Sequence, residues 1–174
     1  QADALGAVHA ELAGDWIRYE AEAATSADTS APPGREDLAV PVAERATFEE
    51  VAAELGLKGL PAAEALRRVQ AYFAGYSYST WLERPAPEGT TALADFVRNT
   101  RSGHCEYFAA ATTLLLRAAG IPARYSTGFA VMEYSALEDA FVVRARHAHA
   151  WARAWSGTRW LDLDTTPPSW FQEE

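Results

Sequence analysis

The strongest constraint on this chain is a change of period near residue 122. Residues 105–119, "CEYFAAATTLLLRAA", put Cys105, Phe108, Ala109, Thr112, Leu115 or Leu116, and Ala119 on one helical face. Gly120 stands where a helix C-terminal cap is wanted, and Pro122 forbids continuation. From residue 123 the chain turns aromatic and β-branched. "ARYSTGFAVMEY", "AFVVRARHAHAWARAW" and "TRWLDLD", separated by turn signals such as Ser156-Gly157, predict three antiparallel strands. Helices followed by a sheet make an α+β arrangement.

The helices upstream carry their own punctuation. In "TFEEVAAELG", Thr47 and Glu50 have capping-box spacing and Gly56 is placed as the stop. "LPAAEALRRVQAYFAG" has Pro61 at a first-turn position, a stripe of Ala62, Leu66, Val69 and Phe73, and Gly75 as terminator. "TTALADFVRNT" is a shorter helix behind a Thr cap. Residues 25–37, "TSADTSAPPGRED", read as a loop or linker. Before them, Leu5, Val8, Leu12 and Trp16 predict an amphipathic helix weakened by Gly6 and Gly14. The expected organisation is an N-terminal extension over residues 1–37 and one compact core over 38–174. With 49% apolar residues and six Trp, a chain of this size can bury that core.

Several partner classes drop out. Net charge is −9 and Lys and Arg are scattered, so there is no footprint for nucleic acid. No apolar run approaches the ~18–20 residues of a membrane span, and no signal peptide is visible. The chain starts at Gln1 rather than Met, which suggests excision from a longer protein with any targeting or membrane segment outside it. A single Cys excludes an internal disulfide and leaves the redox compartment open.

That lone Cys105 lies in the first turn of its helix, with Ser102 or Gly103 as the expected N-cap and Glu106 beside it. Free N–H groups and the helix dipole favour a thiolate there, and the same donors can receive an oxyanion. Gly103 would let a substrate backbone approach. The plain alternative is a core cysteine, since free Cys is among the most buried residue types. A nucleophile needs a base, and the candidates are His9, His104, His147 and His149. Alternation puts His147, His149 and Trp151 on one face of the predicted strand, and parity does not choose between the histidines. Asp162 and Asp164 share a face of the next strand, ahead of a Pro-rich stop, and a carboxylate there can fix an imidazole tautomer. Each of these residues alone has an ordinary structural reading. Their order, Cys then His then Asp, carries the functional one. A zinc site from His147, His149, Cys105 and a carboxylate is a further alternative on the H-x-H pair.

The strings "SGHCEYFAAATTLLLRAAGIPARYSTGF", "VVRARHAHAWARAW" and "RWLDLDTTPP" resemble the core of the bacterial transglutaminase-like superfamily. That pattern is approximately G-x-C-x-x-F-A, R-A-x-G-I-P-A-R, H-A-W and D-x-T, in this order, and the resemblance covers about residues 60 to 170. It implies a papain-like α+β core with a Cys-His-Asp triad. Position by position it implies Cys105 as nucleophile, His149 rather than His147 as general base and acid, and Asp164 rather than Asp162 as its orienting partner. Thr165 stands where Pro is common. His147 becomes a neighbour of the site, with His104 and Trp151 along the cleft. "YSYSTW" offers Tyr78 or Trp81 as an oxyanion donor beside the Cys105 N–H, or else as core and cleft-wall aromatics.

The implied reaction is acyl transfer on an amide or peptide carbonyl through a thioester, to an amine or to water. It needs no metal and no cofactor, and no EF-hand calcium loop is visible. The implied partners are a protein or peptide substrate and, for transfer, an amine acceptor. The acidic balance favours a cationic acceptor such as Lys. The family includes large membrane proteins with such a domain outside the cytoplasm, so an extracytoplasmic domain tethered to a membrane-spanning region is expected; a cytoplasmic homologue fits the same residues. The alternative function is a catalytically silent peptide- or protein-binding module on the same fold.

Overall fold

Helix α1 (Val42–Glu54) begins earlier than the Thr47–Glu50 spacing predicts. Pro41 presets the entry, and its carbonyl accepts from the Glu44 N–H at 3.0 Å, so the chain is already helical before Thr47. Glu50 is used instead by Arg98, at 2.7 Å. The computed structural model describes residues 17–20, 30–81 and 85–172. The predicted helix through Leu5, Val8, Leu12 and Trp16 lies outside them.

Helix α2 (Ala62–Phe73) follows Pro61 as expected and buries Leu66, Val69 and Phe73. Phe73 meets Phe108 edge to face at 5.8 Å, while Tyr76 and Phe96 close around them. The two-residue strand β1 (Ser77–Tyr78) comes next, then the short helix α3 (Ala92–Asp95). Thr91 caps α3, its hydroxyl accepting from the Ala94 N–H at 3.0 Å. A π-turn over Phe96–Thr100 leads into β2 (Ser102–Gly103), which pairs in parallel with β1.

Helix α4 (Cys105–Ala118) is the central element, and it ends before Gly120 (φ 84°) and Pro122 as predicted. It packs on a three-stranded antiparallel sheet ordered β3 (Ala123–Phe129), β6 (Ala148–Trp155), β7 (Trp160–Leu163). Between β3 and β6 a separate hairpin pairs β4 (Glu133–Ser135) with β5 (Ala140–Val142). The three predicted strands therefore become five. The middle one is broken by a 3₁₀ turn at Ala145–His147, so His147 does not lie on the strand with His149.

The reason α4 can lie so close is legible in "AHAWARAW". Alternation puts Ala148, Ala150, Ala152 and Ala154 on the helix-facing side of β6, and the last three are fully buried. The opposite face carries His149, Trp151, Arg153 and Trp155. Part of the predicted linker packs on that face. Asp37 is buried there and its carboxylate accepts two hydrogen bonds from Arg124, at 2.9 and 3.0 Å. The Ala31 carbonyl accepts from Arg124 and from Trp160 Nε1.

Candidate active site

The chain enters α4 from β2 through His104, whose extended backbone (φ −92°, ψ 176°) makes it the N-cap residue in place of Ser102 or Gly103. Those two are held in β2 by pairing with Ser77 and Tyr78. Gly103 has a packing reason for its size. A Cβ there would stand 3.1 Å from the Tyr107 ring and 3.3 Å from Phe96, so the space is filled by protein and is not an approach for substrate.

Cys105 is thus the first residue of the helix, half-buried, with the positive end of the helix dipole behind it. Burial pushes the thiol up. The His104 and His149 imidazoles and the Ala150 N–H around the sulfur, with the charge on His149, outweigh it and bring the thiol down to about 6. A thiolate at neutral pH is the consequence.

His149 opposes Gly128 on β3 and is 8% exposed. Its Nε2 is 2.7 Å from Asp164 Oδ2. Nδ1 is buried and makes no hydrogen bond of good geometry, and it is the ring atom left for the sulfur. Burial acts to lower the imidazole, but the Asp164 hydrogen bond and the sulfur outweigh it and carry it up to about 9. Thiolate and imidazolium therefore coexist across neutral pH. The Trp170 ring stacks on the imidazole at 4.2 Å, only 5° from parallel, and Trp151 lies nearly parallel to it at 6.3 Å. Such faces favour the charged ring and cover the imidazole, while the Asp164 side chain stays 42% exposed. Trp151 itself needs the bare backbone of Gly128, where a Cβ would come within 2.8 Å of its ring.

Asp164 follows the last residue of β7. Burial pushes its carboxyl up, but the bond to His149 and the Thr166 N–H at 2.9 Å hold it below the ordinary carboxylate range. Asp162 has other partners. It lies out on the strand and accepts from Trp151 Nε1 at 3.1 Å and Arg153 Nε at 3.0 Å.

The other candidates fall at different distances from this cluster. His104 stands beside the sulfur, its Nδ1 3.8 Å from Glu106, and lines an open cavity of about 410 Å³ with Glu44, Glu106 and Tyr107. His147 is buried in its turn, where Nδ1 accepts from the Arg144 N–H at 3.1 Å, so its ring serves the turn. Tyr78 is buried next to Gly103. Trp81 is 78% exposed and is not a core residue. Sequence reasoning missed Trp170, although a Trp just beyond the Pro-Pro stop was there to be read. It also missed the part played by Thr166.

Comparison with known proteins identifies the family. The family model described as the transglutaminase-like superfamily covers residues 49–165, more than half of the chain. A protein-glutamine gamma-glutamyltransferase of Pseudomonas aeruginosa is 38% identical over 84 residues, 48% of this chain and 13% of that protein. An uncharacterized protein of Bacillus subtilis, YebA, is 32% identical over 76 residues, 41% of this chain and 10% of that one. The chain thus spans only a small part of the curated relatives it matches. Among solved structures, the periplasmic domain of TgpA from Pseudomonas aeruginosa, bound to ethylmercury, superposes with a TM-score of 0.65 at 30% identity, over 76% of this chain and 49% of that domain. With more than half its length under the family model and the α+β architecture expected of it, this chain belongs to the transglutaminase-like superfamily.

Proposed function

We propose that the protein catalyses cysteine-dependent acyl transfer on an amide carbonyl of a protein or peptide, with Cys105, His149 and Asp164 as the triad. The observation that carries this reading is the 2.7 Å His149–Asp164 bond, which leaves the other imidazole nitrogen for a half-buried thiol at a helix start. The thiolate adds to the carbonyl carbon. The tetrahedral oxyanion is received by the Cys105 N–H and a second donor, with Tyr78 or Trp81 as the candidates. Collapse breaks the C–N bond and the leaving amine takes the proton from His149 Nδ1. An incoming amine or water then gives its proton to His149, attacks the thioester and releases the thiolate. Asp164 keeps the imidazole in one tautomer and stabilises its charged form.

Supported by the likeness to a glutamine gamma-glutamyltransferase, the acyl donor is a glutamine side chain and the acceptor a primary amine. Supported by the likeness to a periplasmic domain, the site works outside the cytoplasm; no helix of the described residues is long and apolar enough to cross a membrane. The division into an extension over 1–37 and a catalytic core over 38–174 belongs to the same proposal, with residues 30–37 docked on the core. The test is incubation with glutamine-containing peptides and a fluorescent primary amine, read by mass spectrometry. Amine-linked peptide is expected with the wild type and none with Cys105→Ala. Deamidated or cleaved peptide in place of the conjugate would make the enzyme a hydrolase. Equal peptide binding by both forms without any turnover would return the silent binding module.

A further inference from the structure

Two neighbouring threonines of α4 use their hydroxyls differently. Thr113 donates back to the Ala109 carbonyl at 2.8 Å, the ordinary local bond of a helical Thr. Thr112 reaches out of the helix. Its hydroxyl shares a 2.7 Å hydrogen bond with that of Thr165, and both residues are buried, at 0% and 8% exposure. A hydroxyl sealed from water in that way is costly to leave unpaired, so the bond fixes the separation of the two segments.

Those segments are the ones that hold the two ends of the candidate triad. Thr112 lies two turns below Cys105 on the same helical face. Thr165 directly follows Asp164, and its hydroxyl meets Thr112 of α4 while the Asp164 carboxylate meets His149 of β6. The next residue, Thr166, holds Asp164 Oδ1 through its N–H. A closed circuit results, running from the thiol down α4 to Thr112, across to Thr165, back through Asp164 to His149 and so to the sulfur. Past Leu163 the strand β7 no longer pairs with β6, so no ladder bond holds Asp164 in place. The hydroxyl pair is what ties it to the helix of the nucleophile.

We propose that Thr112 and Thr165 are positioning residues, whose buried hydroxyl bond sets Asp164, and through it His149, against Cys105. This rests on the triad reading above. Loss of either hydroxyl lets the Asp164 segment shift, weakens the His149–Asp164 bond, and leaves the thiolate with a less firmly charged partner.

The test is the pH dependence of Cys105 alkylation by iodoacetamide, a probe that needs no substrate. The titratable groups around the sulfur are His104 at the start of α4, with Glu106 beside it, Tyr125 on β3 and His149 on β6, none of which these variants alter. In Thr112→Val and Thr165→Val the alkylation midpoint is expected to move up toward that of an ordinary thiol. Amine incorporation should fall roughly ten- to a hundredfold in kcat with little change in KM. Thr112→Ser and Thr165→Ser should restore both, and the Val/Val double variant should be no worse than either single one, since each removes the same bond. An unchanged midpoint and kcat in the Val variants, with only a lowered melting temperature, would overturn the proposal. Should Thr165→Val not fold, Thr112→Val puts the same question from the helix side. A wild type whose thiol already titrates as an ordinary one would instead refute the triad reading on which this inference rests.

Discussion

Besides the Arg153–Asp162 pair, one face of the sheet carries two more carboxylate–cation pairs, built for different ends. At one end Arg124 is gripped by Asp37 through two hydrogen bonds, capped by the Ala31 carbonyl, and covered by the Trp160 ring at 4.0 Å. The Gly34 N–H takes a further Asp37 oxygen site. Burial acts to raise Asp37, but Arg124 outweighs it and keeps the carboxylate charged. At the other end His149 is held by Asp164 and covered by Trp170, a similar arrangement in outline. The difference is the cation. A guanidinium never gives up its proton, whereas an imidazolium does, and its second nitrogen faces a thiol. The first pair can only fasten residues 30–37 to the sheet; the second can move a proton.

The comparison breaks most severely at the sulfur. Cys105→Ala should lower amine incorporation by on the order of 10³-fold or more, and leave the Arg124–Asp37 end and the melting temperature nearly untouched. Asp164→Asn keeps the shape but supports the wrong tautomer, so kcat should fall by roughly 10³- to 10⁴-fold in a steady-state assay. At the fastening end the effects are reversed. Asp37→Ala leaves Arg124 buried and unpaired, and urea denaturation at neutral pH should register a loss of about 3–5 kcal/mol. The Cys105 alkylation midpoint should stay where it was. The sign with pH follows from the depressed Asp37 carboxyl, whose contribution is complete above the ordinary carboxylate range and vanishes as pH falls through its lowered value. The gap between wild type and Asp37→Ala should therefore close in acid. The smallest effect is expected from Gly128→Ala, which forces the Trp151 ring aside at a cost of about 1–3 kcal/mol in the same denaturation experiment.

The two ends were also unequally legible. Cys105, His149 and Asp164 each sit in a short local pattern: a helix start, an alternating strand, a strand end before prolines. Periodicity finds such places, and resemblance supplies the choice of His149 over His147 and Asp164 over Asp162. In the structure His147 is drawn into a 3₁₀ turn, and Asp162 is occupied by Trp151 and Arg153. The other end was invisible. Asp37 lies in a stretch whose Pro, Gly and Ser content reads as loop, and its partner is 87 residues away. The Thr112–Thr165 bond was hidden for the same reason, because a Thr on a helix face looks apolar until its distant partner is known. The start of α1 was misplaced where two local signals competed, and Pro41 prevailed over the Thr47–Glu50 spacing. The break that separates β5 from β6 left no mark in a run rich in strand-forming residues.

The central claim is that the sulfur is held as a thiolate by an imidazolium that Asp164 fixes. The most direct measurement is the rate of Cys105 alkylation by iodoacetamide as a function of pH, in the wild type and in Asp164→Asn. A wild-type midpoint near 6 is expected, with a clear upward displacement in the variant. A wild-type midpoint near the ~8.5 of a free cysteine, with no displacement in Asp164→Asn, would contradict the claim.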